Sequence, residues 1–571
     1  MKRIFLVVVL LSYCIGFSQK NYPTDYFQNP LDIPIELSGT FGELRSNHFH
    51  AGLDIKTQRK NGLKVYATAE GYVSRIRVAL WGYGKVIYIT HPNGYTTVYA
   101  HLSKFGDGIE EYVKNIQYQK ESYETGNIFP EKDELPIKKG QIIGYSGSTG
   151  GFVAPHLHYE IRDSQTEYTI NPLWFGIEVQ DSLAPRVTKL MGYPMHSESR
   201  INGTRKELEL PLKRKIIKDS LSIQNDYSTN RITAIGDIGF GVTTWDRLGK
   251  ALNKNGVYSI EMKVNGSRHY YHDLEMFSFA ESKYINLLID YPHYKKYHNR
   301  IQRMYRHPKN TLSIYEDLVE NGVITIEEGL SYLVEILIKD FAGNTSKVSI
   351  PILGKKSETI VSQLPDTTAY KIETFKFNEF TQNGVTVAFP KNTFYDDVYL
   401  DFNVIDGVAT VHHPEIPLDK SFTITFDSTT YKNEEIDQLY IANVNNPKYP
   451  SYQNTRKRKD KVFTTSKTLG KFTLLTDKEN PKIYSPNFTN ESWMTNHKFL
   501  SIKISDEQSG IKSYDAYIDD EWILMEYDLK EKKLSYDFRD KKLVGSKHIF
   551  KLVVSDNVGN TNTYIATFYR K

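Results

Sequence analysis

The chain contains almost no cysteine, since Cys14 is the only one among its 571 residues. Cys14 lies near the N-terminus, so no disulfide can hold the rest of the chain together, and its domains must depend on their own hydrophobic cores. The cysteine follows Tyr13, whose bulk argues against the lipobox that residues 11–14 loosely resemble. The formal net charge is only +4, which does not indicate a nucleic-acid-binding protein. Beyond the N-terminus no apolar run reaches the length of a membrane span, so the sequence predicts a soluble mature protein without a transmembrane segment.

The N-terminus has the pattern of a secretion signal. A charged start at residues 2–3 precedes a short apolar run at residues 4–17. Gly16 and Ser18 then supply the small residues at positions −3 and −1 of a cleavage site. We therefore predict a signal peptide at residues 1–18 and export to the periplasm, the cell envelope or the extracellular space.

Aromatic residues are abundant, at 13% of the chain with 41 tyrosines, and tyrosine favours half-buried sheet surfaces. Short β-type runs alternate with glycine turns, and Asn93-Gly94 between two apolar runs is typical of a hairpin. Convincing helical periodicity is scarce, except near residues 297–305. The sequence therefore predicts an all-β-dominated multidomain protein, with an N-terminal antiparallel β-domain followed by β-sandwich domains.

The chain is too long for a single core. Residues 181–185 and 477–481 look like linkers that open new β-domains. Two further segments repeat each other, since each has a strand, a D-x-x-G-N turn (340–344 and 556–560) and another strand. That pattern is expected of the closing hairpin of an immunoglobulin-like sandwich. We predict an N-terminal domain at 30–178, an immunoglobulin-like sandwich at 181–355, a β-domain at 365–476 and a second immunoglobulin-like sandwich at 480–571.

Residues that suit a metal centre are concentrated in the predicted N-terminal domain. An H-x-x-x-D motif contains His50 and Asp54, an H-x-H motif contains His156 and His158, and a Y-x-H-L motif between them contains His101. In a strand, the two histidines of the H-x-H motif point to the same face. Catalytic zinc needs three protein ligands of imidazole and carboxylate type and a fourth position open to water. The first two motifs together offer three ligands and one spare histidine.

Taken in this order, the motifs resemble the lysostaphin/LytM-type zinc endopeptidases, which cut peptide bonds in bacterial peptidoglycan. Phe41-Gly42 and Arg45 also match, and the resemblance covers roughly residues 35–175. It implies a small, mostly antiparallel β-structure with a groove, the duplicated hybrid motif, and one Zn²⁺ per chain. It makes the zinc ligands His50, Asp54 and His158, and it places His101 and His156 on the family's two catalytic histidines.

The chemistry of these residues supports the same interpretation. Zinc polarises a scissile carbonyl and acidifies water, and a neutral histidine nearby can take the proton and pass it to the leaving amine. No H-E-x-x-H glutamate is present, so histidine is the natural base. Whether His101 or His156 is the base, and which one mainly stabilises the developing oxyanion, stays open.

We therefore interpret the chain as a secreted zinc metalloendopeptidase that hydrolyses peptidoglycan stem or cross-link peptides. By analogy, the bond between D-Ala and diaminopimelate is expected. The β-sandwich domains are expected to contact the wall or a cell-envelope partner, and no nucleic-acid partner is expected. The alternatives are a non-hydrolytic cell-wall-binding or amidase-activating scaffold, which lost zinc ligands would have favoured, and an enzyme that acts on protein.

Four other segments are less specific. His48 is interpreted as solvated or as a neighbour of the metal ligands. Residues 146–151 are either a flexible loop or one wall of the groove. Residues 104–136 form a long, polar insertion that compact family members lack, and we expect it to border the groove, with a peripheral loop as the alternative. The basic and aromatic tract at 291–306 suits either an exposed loop or helix, or a surface for glycan or anionic polymer.

Overall fold

The computed structural model describes residues 21–151, 154–218, 223–249, 252–356, 367–429 and 433–571. The predicted signal peptide and Cys14 lie outside these residues. Strands account for 47% of the chain and helices for 7%, which confirms the all-β multidomain class. No helix in the described ranges combines the length and the apolar character needed to cross a membrane.

Twelve strands, one α-helix and one 3-10 helix form the first region. In chain order they are β1 Leu37–Gly39, β2 Leu53–Lys56, β3 Lys64–Tyr66, β4 Gly71–Val78, β5 Lys85–Thr90, β6 Tyr95–Leu102, β7 Lys104–Phe105, α1 Asp107–Lys120, β8 Gly126–Ile128, β9 Pro136–Ile137, β10 Ile142–Tyr145, β11 His156–Asp163, β12 Thr169–Ile170 and the 3-10 helix Pro172–Phe175. The main antiparallel sheet has the order β1-β2-β11-β6-β5-β4-β8, and β3-β10-β7 form a second, small sheet.

The hairpin predicted at Asn93-Gly94 is present, since it joins β5 to β6 and Gly94 has φ +86°. The central strand β11 is buried along both faces. Its odd-numbered residues, such as Tyr159, pack into the hydrophobic core, while its even-numbered residues alternate to the opposite face. Because those even residues include two histidines and a glutamate, the functional site has to form on that face.

The insertion at 104–136 contains a helix that the sequence analysis missed. Along α1 the buried residues recur four apart: Ile109, Val113 and Gln117. The following strands, β8 and β9, both pair with β4. They therefore lie at the edge of the sheet opposite to β2, with β5 and β6 between β4 and β11. The sheet thus places β8 and β9 away from the metal-type residues, whereas Tyr123 of the insertion lines a cavity together with Thr149. The expectation that the insertion borders a groove stays a prediction.

In the second region, the described residues form fourteen strands, two α-helices and two 3-10 helices. They are β13 Arg186–Pro194, β14 Arg200–Ile201, β15 Leu208–Glu209, β16 Lys213–Lys218, β17 Ile223–Ser228, β18 Ile232–Trp245, β19 Ser259–Val264, β20 Ser267–Asp273, β21 Met276–Phe277, the 3-10 helix Ser282–Tyr284, α2 Ile285–Leu288, α3 Tyr291–Tyr297, β22 Gln302–Arg303, β23 Tyr315–Leu318, the 3-10 helix Glu320–Gly322, β24 Ile324–Ile326, β25 Ser331–Lys339 and β26 Thr345–Gly354. All but β21 belong to a 13-stranded sheet, whereas β21 pairs with β12 of the first region.

The helix that we expect near residues 297–305 lies earlier in the chain, at Tyr291–Tyr297. The helix α3 ends at Tyr297, and His298 follows in the left-handed conformation with φ +55°. The side chain of Asp290 accepts a hydrogen bond from the backbone N–H of His293 and caps the helix, and Pro292 suits its first turn. The helix therefore begins where a cap and a proline coincide and ends at the residue where the predicted helical periodicity starts.

The third and fourth regions are built from shorter strands. The third contains β27 Tyr370–Ile372, β28 Asn378–Gln382, β29 Val385–Phe389, β30 Val398–Leu400, β31 Phe402–Ile405, β32 Val408–Val411, β33 Phe422–Asp427, α4 Asn433–Ile436, β34 Leu439–Asn443, β35 Ser451–Tyr452, β36 Arg456–Arg458, β37 Lys461–Ser466 and β38 Gly470–Thr476. The fourth contains β39 Lys482–Tyr484, β40 Ser492–Trp493, β41 Phe499–Ser505, β42 Ile511–Ile518, β43 Glu521–Trp522, β44 Glu526–Asp528, β45 Lys533–Asp537, β46 Lys547–Asp556 and β47 Thr561–Tyr569.

Each D-x-x-G-N turn joins a long hairpin, β25–β26 in one case and β46–β47 in the other, as the repeat predicts. In the fourth region two sheets, β39-β41-β45-β44 and β40-β47-β46-β42-β43, enclose one hydrophobic core. The immunoglobulin-like topology and the domain boundaries stay predictions.

The core of the first region is completed by residues from far along the chain. Phe277 packs against Phe41 and Phe49 with tilted rings, whose centroids lie 4.9 and 5.2 Å away. Trp522 and Leu524 of the fourth region also pack into this core. The sheet that carries the metal-type residues is therefore supported from two sides by later parts of the chain.

Candidate metal and catalytic centre

Three side chains named by the sequence motifs meet at the surface of β2 and β11. Asp54 on β2 is the direct antiparallel partner of His158 on β11, and His50 lies just before β2. His50 Nε2 and His158 Nδ1 lie 2.9 and 3.0 Å from Asp54 Oδ1, and the two nitrogens are 3.1 Å apart. One carboxylate oxygen and two ring nitrogens therefore converge on one point, which is the donor set of a metal centre.

The outer nitrogens of both rings are engaged elsewhere, and this fixes the ring orientations. His50 Nδ1 donates to the carbonyl oxygen of Thr40 at 2.7 Å. His158 Nε2 donates to Glu160 Oε1 at 2.8 Å. Each ring then directs its other nitrogen into the cluster as a lone pair, the state in which histidine binds metals. With both rings in their neutral form, two such lone pairs and a carboxylate oxygen converge within about 3 Å of one another, so these residues fit a cation between them.

Glu160 is fully buried beneath His158. Its carboxylate receives hydrogen bonds from the Tyr83 hydroxyl and, at 2.6 Å, from Arg162 Nε. Burial alone would raise the pKa of Glu160, but Arg162 and His158 outweigh it and hold the pKa at about 2. For His158, burial would lower the pKa, but its hydrogen bonds to Asp54 and Glu160 and their negative charges outweigh burial and raise the pKa to about 9. The buried anion therefore orients the ring and makes it a more basic ligand.

Asp54 divides its two oxygens between different partners. Oδ1 faces the histidines, and Oδ2 accepts a hydrogen bond from Arg45 at 3.1 Å. Burial would raise the pKa of Asp54, but His50, His156 and His158 hold it well below its usual range. The side chain is therefore an anion aimed at the cluster.

His101 and His156 lie beside the cluster, with ring centroids 4.7 Å apart. His101 Nδ1 donates to the carbonyl oxygen of Thr149, and His156 Nδ1 donates to that of Ala154, both at 2.8 Å. Each ring is thus left with Nε2 as a proton acceptor, and His156 Nε2 lies 3.4 Å from Asp54 Oδ1. Burial, reinforced by the neighbouring His158 and His156, lowers the pKa of His101 to about 3, so its ring is neutral.

The backbone at His101 adopts φ +61° near the end of β6. A left-handed conformation is uncommon for a non-glycine residue and tends to occur at functional sites. Here the backbone N–H of His101 donates to the carbonyl oxygen of Tyr83 at 3.0 Å, and the β5–β6 register is irregular between Lys85 and Ile87. This irregularity re-aims the ring towards the cluster.

The five predicted site residues thus lie together, and sequence reasoning missed their supports. Glu160 could have been predicted from the sequence, because it lies two residues after His158 on the same strand and therefore points to the same face as His156 and His158. Tyr83 and Thr40 reach the site through pairings that no local pattern signals. The other segments lie further from the cluster. Thr149 of the 146–151 loop accepts the hydrogen bond that holds His101, and His48 is exposed. The helix α3 contacts the loop before His50, where the Tyr294 and Ser46 hydroxyl oxygens are 2.9 Å apart.

Comparisons with known proteins show which families parts of the chain resemble. A family profile described as Peptidase family M23 matches residues 48–118, and one described as Zu5-like domain matches residues 369–477. DD-carboxypeptidase/endopeptidase Mpg of Neisseria gonorrhoeae is 34% identical over 119 residues, which are 21% of this chain and 21% of that protein. Peptidoglycan DD-endopeptidase ShyA of Vibrio cholerae is 34% identical over 100 residues, which are 18% of this chain and 17% of that protein. The chain thus spans about a fifth of the length of these curated relatives.

Among solved structures, the catalytic domain of the antimicrobial peptidase lysostaphin from Staphylococcus simulans shares 24% sequence identity with this chain. The match covers 25% of this chain and 93% of that one, with a TM-score of 0.19. The fold and the cluster define an antiparallel β-domain with a His/Asp centre of the metal-binding type. The chain contains a peptidase family M23 domain of the LytM/lysostaphin type, and a Zu5-like domain lies further along it.

Proposed function

We propose that the protein is a zinc metalloendopeptidase that hydrolyses peptide bonds in peptidoglycan stem or cross-link peptides. The observation that carries this proposal is the convergence of His50 Nε2, Asp54 Oδ1 and His158 Nδ1 within about 3 Å, with two further histidines beside them. Those three residues would hold the zinc. Zinc bound there supplies a Lewis acid that polarises the scissile carbonyl and acidifies water.

Two histidines of the chain can transfer the proton of the attacking water. Because His101 and His156 donate through Nδ1 to backbone carbonyls, Nε2 of either ring can accept the proton of the attacking water and return it to the leaving amine. The imidazolium that forms on one ring can meanwhile stabilise negative charge on the carbonyl oxygen. The two rings stand side by side, so the geometry supports a shared task and leaves open which of them is the base.

The substrate proposal rests on the relatives. One relative is named a DD-carboxypeptidase/endopeptidase and another a peptidoglycan DD-endopeptidase, which supports a DD bond, such as D-Ala to diaminopimelate, as the bond cleaved. Such a substrate lies in the cell envelope, and this supports the predicted export. The domains at 181–355, 365–476 and 480–571 are proposed to position the catalytic domain on the wall or on an envelope partner.

The test is digestion of purified cross-linked muropeptides by the zinc-loaded protein, followed by mass spectrometry. Asp54→Asn and His158→Ala should abolish both zinc binding and product, whereas His48→Ala, an exposed histidine two residues from His50, should retain both. Product from the Asp54→Asn variant at the normal rate would contradict the proposed site. If the native protein yields no product but stimulates an amidase, the scaffold alternative holds instead.

A further inference from the structure

A second group of acidic side chains lies where the first region joins the second. Asp181 is in the connecting segment, Asp246 follows β18, and Asp340 follows β25. One carboxylate oxygen from each residue lies within 4.8 Å of the other two. The hydrogen bonds that two of them receive come from neutral amides: Asp181 accepts from Leu183 N–H, and Asp340 accepts from the backbone and side-chain amides of Asn344. These bonds bring no positive charge. Burial and the neighbouring acidic side chains raise the pKa of Asp246 to about 8 and burial and Asp181 raise that of Asp340 to about 7, so the three close carboxyl groups keep protons unless a cation offsets their mutual repulsion.

Two buried side chains at this junction have polar atoms without a hydrogen-bond partner in the described part of the chain. Asp246 is 2% exposed, and its Oδ1 has no partner. Asn255 is also 2% exposed, and neither its amide oxygen nor its amide nitrogen has a partner. The two residues form an isolated antiparallel bridge through backbone hydrogen bonds of 2.9 Å in both directions. Directly opposed residues of this kind place their side chains on the same side, so Asn255 faces the acidic group together with Asp246.

A buried oxygen without a partner costs free energy that native proteins rarely leave uncompensated. Here the unpartnered oxygens are a carboxylate and an amide, in a group that already carries three carboxylates. The group also lines a cavity of about 660 Å³ that is shared with Phe41, Leu173 and Tyr258, so an ion could reach it from solvent. The missing partner is therefore expected to be a cation.

We propose that Asp181, Asp246, Asp340 and Asn255 form a Ca²⁺-binding site at this junction. Carboxylate and amide oxygens are ligands of hard cations, and an irregular set drawn from loops suits Ca²⁺ better than the strict octahedron that Mg²⁺ demands. Because Asp181 lies in the connecting segment, the ion would tie that segment to the second region. The aromatic contact between Trp174 and Phe341, with ring centroids 5.1 Å apart, lies at the same junction.

The fourth region repeats this plan and provides a control. There Asp477, Asp506 and Asp556 form an equivalent group within 4.8 Å, again with one member before a proline and one in a D-x-x-G-N turn. Both oxygens of Asp477 accept backbone N–H groups, and Asp556 Oδ1 accepts three of them. Since backbone donors already satisfy these oxygens, our proposal concerns the first group alone.

The experiment is hydrogen–deuterium exchange of the zinc-loaded full chain, first in buffer stripped of Ca²⁺ and then with millimolar CaCl₂. We expect Ca²⁺ to slow exchange in peptides that contain residues 176–184 and 340–346. Asp246→Asn should remove this protection or weaken Ca²⁺ binding by at least about tenfold, because the charge of the ligand set decides affinity. Asp506→Asn should keep the protection of both peptides.

A second readout keeps the test decisive if one variant folds poorly. Asp181→Asn changes a half-buried residue of the connecting segment and should show the same loss of Ca²⁺ protection. In buffer without Ca²⁺, both Asn variants should melt at or above the native temperature, because each removes one repelling charge. Unchanged exchange of the native junction peptides on adding Ca²⁺, or equal protection in Asp246→Asn, would overturn the proposal. Equal protection by MgCl₂ at the same concentration would overturn the assignment to Ca²⁺.

Discussion

Glu160 is outside the three convergent donors, yet it supports the proposed metal site through His158. It receives the Nε2–H of His158 and is balanced by Arg162, so its charge sets both the orientation and the basicity of the ring. We predict that Glu160→Gln, which keeps the shape but removes the charge, weakens zinc binding by about 10–100-fold. Zinc affinity measured against a competing chelator checks this. Glu167→Gln, at an exposed glutamate nearby, is the matched control and should bind zinc normally.

The two histidines beside the cluster should separate metal binding from turnover. Neither His101 nor His156 is among the three convergent donors, so His101→Ala and His156→Ala should keep most of the zinc. Each variant should lose about 10²–10⁴-fold in kcat, the usual contribution of a general acid or base. Metal analysis and muropeptide kinetics on the same preparations provide the test. A variant with normal kcat would show that its histidine has no role in proton transfer.

His91 makes the stability of the first region depend on pH. Burial lowers its pKa to about 4, although its hydrogen bond to the carbonyl of Glu70 opposes the shift. Nδ1 donates to that carbonyl, and Nε2 lies 2.8 Å from the Thr97 hydroxyl oxygen. With a pKa of about 4, the native ring is neutral at neutral pH.

In the unfolded chain His91 binds a proton below its ordinary pKa of about 6.5, whereas the native chain does not do so until pH is near 4. The contribution of His91 to stability is therefore complete above pH 6.5 and is lost as pH falls to about 4, by about 3 kcal/mol in all. Denaturant unfolding across this range should show a flatter pH profile for His91→Gln. Identical profiles would contradict the assignment.

At the scale of elements, strand β11 was the most predictable part of the site. Its period of two places His156 and His158 on one face, and the H-x-x-x-D motif supplies the partners on β2. The irregular backbone at His101 could not be predicted, because it depends on pairing with β5 and on the Thr149 carbonyl, 48 residues away.

The helix α1 was missed for a different reason. Its buried positions recur four residues apart and form only a narrow stripe. The charged and tyrosine residues between them weaken the helical periodicity of the sequence. Ile109 and Val113 of this stripe pack into the core of the first region, and the adjacent face of the helix contacts side chains that lie far along the chain. These are Trp522, whose ring meets that of Tyr118 at 5.5 Å, and Asp540, which pairs with Lys114 at 2.6 Å.

This contact predicts a role for α1 as a docking surface for the fourth region. Trp522 is only 8% exposed, and nearby Lys85, almost fully buried, pairs with Glu526 at 2.8 Å. Trp522→Ala should therefore loosen the contact and speed hydrogen exchange in α1. Trp493→Ala, at a tryptophan of the same region that is 56% exposed, should leave exchange in α1 unchanged. Equal exchange in both variants would contradict docking through this surface.

At the scale of the whole molecule, the hydrophobic core of the first region includes side chains from later regions. Leu274, Phe277, Ile285 and Leu288 come from the second region and pack into it. We predict that a fragment of residues 21–180 is less stable and less soluble than one of residues 21–356, because it exposes the apolar surface that these side chains cover. Thermal unfolding and size-exclusion chromatography of the two fragments check this. Equal melting temperatures would contradict it.

The dependence of the first core on the second region could not be predicted from the sequence. Phe277 follows the motif residues by more than a hundred positions, and β12, the strand that pairs with its own strand β21, has only two residues. Local pattern predicted the class of each region and the composition of the metal-type cluster. The junctions between regions depend on pairings such as β12 with β21, which carry no local signal.

The central claim is that the chain itself hydrolyses a peptide bond of peptidoglycan. The most direct measurement is incubation of the zinc-loaded protein with one purified, directly cross-linked muropeptide dimer in H₂¹⁸O, followed by fragment mass spectrometry. Our account predicts two monomers, with one ¹⁸O in the newly formed carboxyl group of D-Ala and none elsewhere, and no product from Asp54→Asn. An intact dimer, or ¹⁸O at the bond between sugar and peptide, would contradict it.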